Sequence, residues 1–472
     1  MIPRLLLSLV SAAGLAGCAV GPDYEAPSPE PGEWLSAEEA YGNDAPDADW
    51  WRLLESPEPA ALVEEALTHN RDLRAARARL EEARALRGLA ASGFWPGIDG
   101  RASYTWYEQS LNSPGAASQL VSAGLASRDD EFFAARLDAS WELDLFGSTR
   151  RRVEAADARL GATGAALAGT ALAVAAETVS AWVELRGAER RLEITRESAR
   201  AQARTLTLTR SKVEIGLARE LDALRAETEL RATRARLPAL RATAAASAYR
   251  LAVLTGNEPQ RYRNATGGSL PLPPRSLPVG LRAELLRRRP DVMIAERELA
   301  AATAGIGVAT AEFFPRLVLG ASGGFEAADA SELFSGGSRT ATIVPFVRWP
   351  LFQGGRLRAE LAAAEARERA ALARYEATVL AALADAESAL VAYAEERQTL
   401  EELDRAAAAA AEAADIASRL YEKGLGDFLT VLDAERRQAE TDDQRTQSEI
   451  RVLLSLVRVY KALGVGWQAM TL

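Results

Sequence analysis

The sequence predicts a mainly α-helical chain with a small β part, built by duplication of a helical hairpin that carries two strands. Three observations predict it. Residues 72–96 (DLRAARARLEEARALRGLAASGFWP) recur as residues 291–315 (DVMIAERELAAATAGIGVATAEFFP). At a constant offset of 219 they share Asp72/Asp291, Leu80/Leu299, Ala83/Ala302, Gly88/Gly307, Phe94/Phe313 and Pro96/Pro315 without a gap, and self-similarity at a fixed spacing marks a repeated unit. Each repeat also holds a proline-free stretch of almost 70 residues rich in Ala, Leu, Arg and Glu, which favours uninterrupted helix. Ahead of the first such stretch lie two alternating apolar and polar runs, the pattern of half-buried strands; ahead of the second the pattern recurs more weakly, with poor alternation in its last run.

Composition narrows the functions such a chain can have. It has 472 residues, one His (His69), one Cys (Cys18) and a formal charge of −10. The acidic balance argues against a nucleic-acid partner. Single His and Cys residues exclude disulfides, Ser-His or Cys-His nucleophiles and clustered His/Cys metal sites. Asp/Glu pairs remain, but on long helices they read as solvated faces. An enzyme is not expected.

The N-terminus sets the compartment. A short basic start at Arg4 precedes an apolar run from Leu5 to Ala16, ending in Leu15-Ala16-Gly17-Cys18. The run is too short to span a bilayer and has the shape of a secretory signal, residues 1–17. The Leu-Ala-Gly-Cys ending resembles a bacterial lipobox, which implies cleavage before Cys18 and acylation there. Ala19 follows, without the aspartate that retains such lipoproteins in the inner membrane, so the expected location is the outer membrane, lipid-anchored and extending into the periplasm. Residues 18–57 form an anchor or equatorial segment with Pro27, Pro29 and Pro31.

The first repeat covers residues 58–256. A helix is expected over about 58–93, then a strand over about 98–107. In it Ile98, Gly100, Ala102, Tyr104 and Trp106 alternate with Asp99, Arg101, Ser103 and Thr105. A loop over 109–130 leads to a strand over about 134–144, where Leu137, Ala139, Trp141 and Leu143 oppose Arg136, Asp138, Ser140 and Glu142. Strands of about nine residues can cross a bilayer when tilted. Aromatics on one face and charges on the other fit the lipid-out, lumen-in pattern of an outer-membrane barrel. A helix of about 67 residues follows, roughly 100 Å long and beyond any single globular core. Its apolar stretch 162–176 is mostly Ala and Gly and runs into charge, so it reads as a close helix contact and not as a membrane span. Gly216-Leu217-Ala218 turns the chain into a shorter helix to about residue 255.

Residues 257–280 form a Pro-rich linker. The second repeat, 281–464, repeats the order: helix over 281–312, bent or restarted at Pro290, strands over about 316–325 and 340–348, a second long helix to Lys423, a Gly424-Leu425-Gly426 turn and a last helix. Pro345 suits a kink or irregular pairing in the last strand. Residues 465–472 are a C-terminal tail. In each repeat the strands and the Gly-Leu turn mark opposite poles of the hairpin.

Four membrane-type strands cannot close a barrel, and open edges are not tolerated in lipid. Copies are therefore expected to associate, with Tyr104, Trp106, Trp141 and Phe325 facing outward. The segments Cys18-Ala19-Val20-Gly21-Pro22-Asp23-Tyr24, Arg288-Arg289-Pro290-Asp291-Val292 through Phe314-Pro315, Trp349-Pro350-Leu351-Phe352-Gln353-Gly354-Gly355-Arg356-Leu357 and Tyr460-Lys461-Ala462-Leu463-Gly464 resemble the OprM/NodT-type branch of the TolC-like outer-membrane efflux factors. The resemblance spans essentially the whole mature chain. It implies a homotrimer with a 12-stranded β-barrel in outer-membrane lipid and a periplasmic α-barrel. It further implies a tunnel for small molecules such as drugs or toxic compounds, served by a periplasmic adaptor and an inner-membrane pump of the resistance-nodulation-division type, with no cofactor. Two other readings exist. A coiled-coil scaffold would have no strands. A lipid-anchored periplasmic adaptor would have one hairpin and lipoyl-like segments, not two hairpins.

The resemblance also implies where the duct shuts. Gly216 and Gly424 are expected at the periplasmic tip. Just past the second turn, Leu429, Asp433 and Arg436 stand at i, i+4 and i+7 on one helical stripe. Similar channels line their closed aperture with the matching leucine, aspartate and arginine. Arg225 occupies the position of Asp433 in the first repeat and is a candidate partner. Thr430 and Gly426 depart from the TolC pattern, which has a second aspartate and an arginine there, so the lock is expected to differ in detail.

Overall fold

The computed structural model of the chain describes residues 19–28, 41–42, 44–112, 114–262, 270–271 and 277–469. The expected signal peptide, Cys18, much of the Pro-rich linker and the last residues of the tail lie outside them. The element order is α1 (Pro57–His69), α2 (Arg71–Ser92), β1 (Gly97–Glu108), α3 (Ala116–Ser122), β2 (Asp129–Leu143), α4 (Ser148–Glu214) and α5 (Glu220–Leu254). The second repeat gives α6 (Arg282–Arg288), α7 (Pro290–Ala311), β3 (Arg316–Ala327), β4 (Arg339–Arg348), α8 (Arg356–Glu422) and α9 (Phe428–Ala462).

The duplication holds to the residue. At the 219 offset α2 superposes in sequence on α7 and β1 on β3, with identical ends. After the shorter second loop the offset becomes 208, and α4 matches α8 and α5 matches α9, again end for end. The two long helices are 67 residues each and unbroken.

Four expectations about the fold need correction, the last of them at Pro345 in the sheet. The 58–93 helix is two helices, because Asn70 breaks it. Asn70 Oδ1 accepts from the backbone of Asp72 (2.9 Å) and Leu73 (3.1 Å), the geometry of an N-cap, and its Nδ2 donates to Leu254 O (2.9 Å). The equivalent position in the second repeat is Arg289, followed by Pro290 at the first turn of α7, so both repeats break at the same place by different chemistry. The 109–130 loop also contains a short helix, α3, and the strand expected over about 134–144 starts earlier, at Asp129, because β2 pairs with the whole length of β1 up to Glu108.

The main sheet is a four-stranded antiparallel meander, β1-β2-β3-β4, and Tyr41–Gly42 pairs separately, in parallel, with Leu277–Pro278. Register decides which residues share a face. Gly100 pairs with Leu137, Leu137 with Gly323 and Gly323 with Ala341. Ile98, Tyr104, Leu137, Ala139, Leu319, Phe325, Ile343 and Val347 therefore fall on one face. The other face carries Arg101, Asp138, Arg136, Glu326, Glu142 and Arg316. Its charges pair across strands: Arg136 Nη1 to Glu326 Oε1 at 3.0 Å, Arg316 to Glu142 at 3.6 Å and Arg101 to Asp138 at 3.9 Å. The expected irregularity at Pro345 is not seen, since pairing runs unbroken from Arg316↔Arg348 to Phe325↔Arg339. Trp141 lies on the apolar face but near the helical end of β2. Its indole Nε1 donates to Phe94 O (3.0 Å), and Trp349 donates to Phe313 O (3.0 Å) in the second repeat.

The described chain falls into two compact units, and these cut across the repeats. One unit takes the sheet with Glu82–Gly161 and Arg297–Ala373; the other takes Ala162–Glu296, Arg374–Leu472 and Pro27–Glu81. The boundary falls inside α4 and α8, so neither unit is one repeat. The second unit holds the main core. Trp50 stacks on Tyr460 at 5.1 Å, and Trp51, Leu73, Val179, Leu251, Leu390, Leu453 and Leu456 surround them. The apolar stretch of α4 is part of this core: Ala171 and Ala175 have no exposed surface, and protein covers 67% of the most apolar window.

Candidate functional site

The two glycine turns are built alike. In the first, Gly216 adopts φ +75° and donates to Val213 O (3.0 Å), while Leu217 N donates to Lys212 O (2.7 Å). In the second, Gly424 adopts φ +75° and donates to Tyr421 O (3.0 Å), while Leu425 N donates to Leu420 O (2.8 Å). A left-handed glycine with a reverse bond of this kind is the usual way to end a helix without stranding its last carbonyls. Leu217 and Leu425 are 73% and 75% exposed, large apolar side chains at both turn apices.

The helices after the turns start in register. Asp427 caps α9, accepting from Thr430 N (3.1 Å) and Thr430 Oγ1 (2.7 Å), and those bonds hold its carboxyl below the usual carboxylate range. In the first repeat the roles are exchanged. Arg219 stands at the cap and Asp222, at the Thr430 position, accepts from Arg219 N (3.4 Å).

Leu429, Asp433 and Arg436 are all exposed on α9. Asp433 and Arg436 are brought together: Arg436 Nη2 donates to Asp433 Oδ1 at 3.0 Å. Arg225 is not brought to Asp433 within the chain; its guanidinium lies 3.7 Å from Asp222 Oδ1.

Sequence reasoning missed the groups that tie the two turns together. Tyr421 and Lys212 come from different repeats. Lys212 Nζ donates to Tyr421 O and sits 3.9 Å from the centre of its ring. The Tyr421 hydroxyl is 3.1 Å from Thr209 Oγ1, and its ring meets Phe428 edge-on at 6.0 Å. These rest on a small core of Leu206, Ala226, Leu230, Ala417 and Val431. One turn further along α9, Thr205 Oγ1 donates to Glu435 Oε1 (2.5 Å) while Oε2 is buried without a partner. Burial pushes the Glu435 carboxyl up, against the smaller downward pull of Thr205 and Arg204. A compositional signal was available. The chain has three lysines, and Lys212 and Lys423 both stand within four residues of a turn glycine.

With this geometry in place, comparison with known proteins decides the family. The family model described as outer membrane efflux protein matches residues 62–257 and 281–465, one match to each repeat. The chain belongs to that family. This outer membrane efflux protein is 32% identical to OprJ of Pseudomonas aeruginosa over 469 residues, covering 98% of this chain and 95% of OprJ. It is 29% identical to nodulation protein T of Rhizobium leguminosarum over 455 residues, covering 96% and 94%. The solved structure of the outer-membrane channel OprN superposes with a TM-score of 0.87 at 38% identity, covering 96% of this chain and 100% of that one. Coverage that takes in sheet, helices and both turns leaves no room for a scaffold or adaptor reading.

Proposed function

We propose that this outer membrane efflux protein is one protomer of a homotrimeric exit duct in a tripartite system. The observation that carries the reading is the open-edged sheet. β1 and β4 are its outer strands, and one face is apolar while the other bears paired charges. In lipid an unpaired strand edge leaves backbone donors and acceptors without water. The edge of one copy must therefore meet the edge of the next, and three copies give about twelve strands, an even number typical of such barrels. A second support is α8, whose most apolar window is only 33% covered within the chain. Leu380 and Val391 on this helix stay exposed, a surface suited to a neighbouring copy.

A duct has no energy source of its own. We assign that role to an inner-membrane pump of the resistance-nodulation-division type, joined through a periplasmic adaptor, with small drugs or toxic compounds as cargo. Acylation at Cys18 would add a lipid anchor, since several acyl chains hold where one does not. Three-fold symmetry would turn Leu429 into an apolar ring and Asp433 into a ring of negative charge at the periplasmic tip. There Arg436, or Arg225 of a neighbouring copy, could bridge to Asp433 and hold the tip shut. The exposed positions of all three stripe residues support this gate.

Deleting the chain from its host, and restoring it, tests the function. The deletion strain should accumulate a fluorescent efflux dye, and re-expression should restore its exclusion. Equal accumulation in the parent and the deletion, with adaptor and pump present, would contradict the proposal.

A further inference from the structure

The segment that follows Cys18 is seated in a built site. Val20 N donates to Phe146 O (3.2 Å). Arg151, at the start of α4, reads the next residues with one guanidinium: Nε donates to Val20 O (3.2 Å), and Nη2 to Gly21 O (3.2 Å) and Asp23 Oδ1 (2.7 Å). Its remaining arm, Nη1, is held by Glu154 Oε2 (2.7 Å). The Arg151 side chain is only 4% exposed, so this is a guanidinium buried for the purpose of binding backbone. Forked donors of this kind suit paired oxygen acceptors in a way a lysine cannot match.

Glycines make the fit. Gly21 adopts φ +91°, and a Cβ there would lie 2.5 Å from Gly307 Cα on α7. A Cβ on Gly307 would lie 2.7 Å from Arg151 Cγ. Either addition forces backbone or guanidinium to move. Ala19 closes on Gly147 in the same manner, at 2.6 Å from a Cβ built there. Tyr24 then packs against Ala158 of α4 and Ala300 and Ala301 of α7. The segment thus touches the first repeat through α4 and the second through α7.

We propose that Arg151, Gly307 and Gly147 form a receptor for residues 19–24. The docked segment straps the helix–strand junctions of the two repeats together and fixes the point at which Cys18 leaves the body. The strap stands without lipid; only the positioning of an acyl group rests on acylation of Cys18. On this account residues 19–24 are a fixed part of the body and not a flexible tether.

The test uses the full chain purified from membranes, in wild-type and Cys18→Ser forms. Hydrogen–deuterium exchange follows residues 19–24, and chymotrypsin probes the bond after Tyr24. Both forms should be protected and resistant. Arg151→Ala should exchange at least about tenfold faster in this segment, as expected when charge-assisted bonds to backbone are lost, and should be cut after Tyr24. Arg151→Lys should restore little, and Asp23→Ala, which removes one of several contacts, should have a smaller effect. If Arg151→Ala does not assemble, Gly21→Ala carries the test, because it alters the strap and leaves the helices as they are; it should free the segment while heat stability of the helical body is kept. Free-peptide exchange of the segment in the wild type, or unchanged exchange in Arg151→Ala and Gly21→Ala, would overturn the proposal. Mass spectrometry of the N-terminus separates the two readings: an unacylated Cys18 beside a protected segment refutes lipidation and leaves the strap standing.

Discussion

Asp433 and Arg436 are 3.0 Å apart on one helix, and as an exposed pair they would be worth only about 0.3–0.5 kcal/mol. As members of a three-fold ring they would govern conduction. Single-channel recording in planar bilayers separates these roles. Asp433→Ala and Arg436→Ala should each raise open probability, and Asp433→Ala should also lower cation preference; wild-type traces from both would leave only the helix pair. Glu435, two residues on, tests the packing beneath. Burial raises its carboxyl above the ordinary glutamate range, so the folded protein holds that proton more tightly than the unfolded chain. Its contribution is fully present below the ordinary value and is lost as pH rises through the raised one. Glu435→Gln should therefore raise the melting temperature at neutral pH more than at acidic pH. An equal shift at both would count against a buried, proton-binding Glu435. Glu435 was not legible in the sequence, and the rarity of lysine marks Lys212 without naming Tyr421 as its partner, because each owes its environment to a helix from the other repeat.

At the scale of the element, helix ends were readable wherever they are written in local chemistry. Gly216 and Gly424 end α4 and α8, and the prolines at 96 and 315 separate α2 and α7 from their strands. The break at Asn70 was missed because Asn-Arg-Asp sits inside an unbroken helical pattern, and the cap is completed by Leu254 O, far away in sequence. Strand faces were legible from alternation in β1, β2 and β3 but not in β4, where the apolar Val344 and Phe346 stand on the face opposite Ile343 and Val347 and blur the pattern. Depth was not. Trp141 is an outward aromatic by pattern, yet its indole is bound to Phe94 O near the end of β2. Leu137, 60% exposed and paired with Gly100 and Gly323, lies nearer mid-strand. Leu137→Arg should destabilise the assembled barrel by about 2–4 kcal/mol and Trp141→Arg by less through lipid burial. Denaturant titration of protein refolded into bilayers checks the order, and a larger loss for Trp141→Arg would place the membrane midplane elsewhere.

For the whole molecule, the sequence carried the duplication and the need for partners further than it carried the internal packing. The 219 offset appears in the sequence as matched Asp, Gly, Phe and Pro and the 208 offset as the matched Gly-Leu turns at 216 and 424, and both reappear as elements of identical length. The division into two compact units was invisible, because each unit draws on both repeats and its boundary crosses helices that have no local signal there. Assembly follows from what one chain leaves undone: two open strand edges and an apolar helix surface of which only a third is covered. Native mass spectrometry of the detergent-extracted protein, paired with bilayer recording of the same preparation, tests this most directly. The account predicts a species of three chains that forms discrete ion-conducting pores. Monomers alone, from a preparation that retains full pore activity, would contradict it.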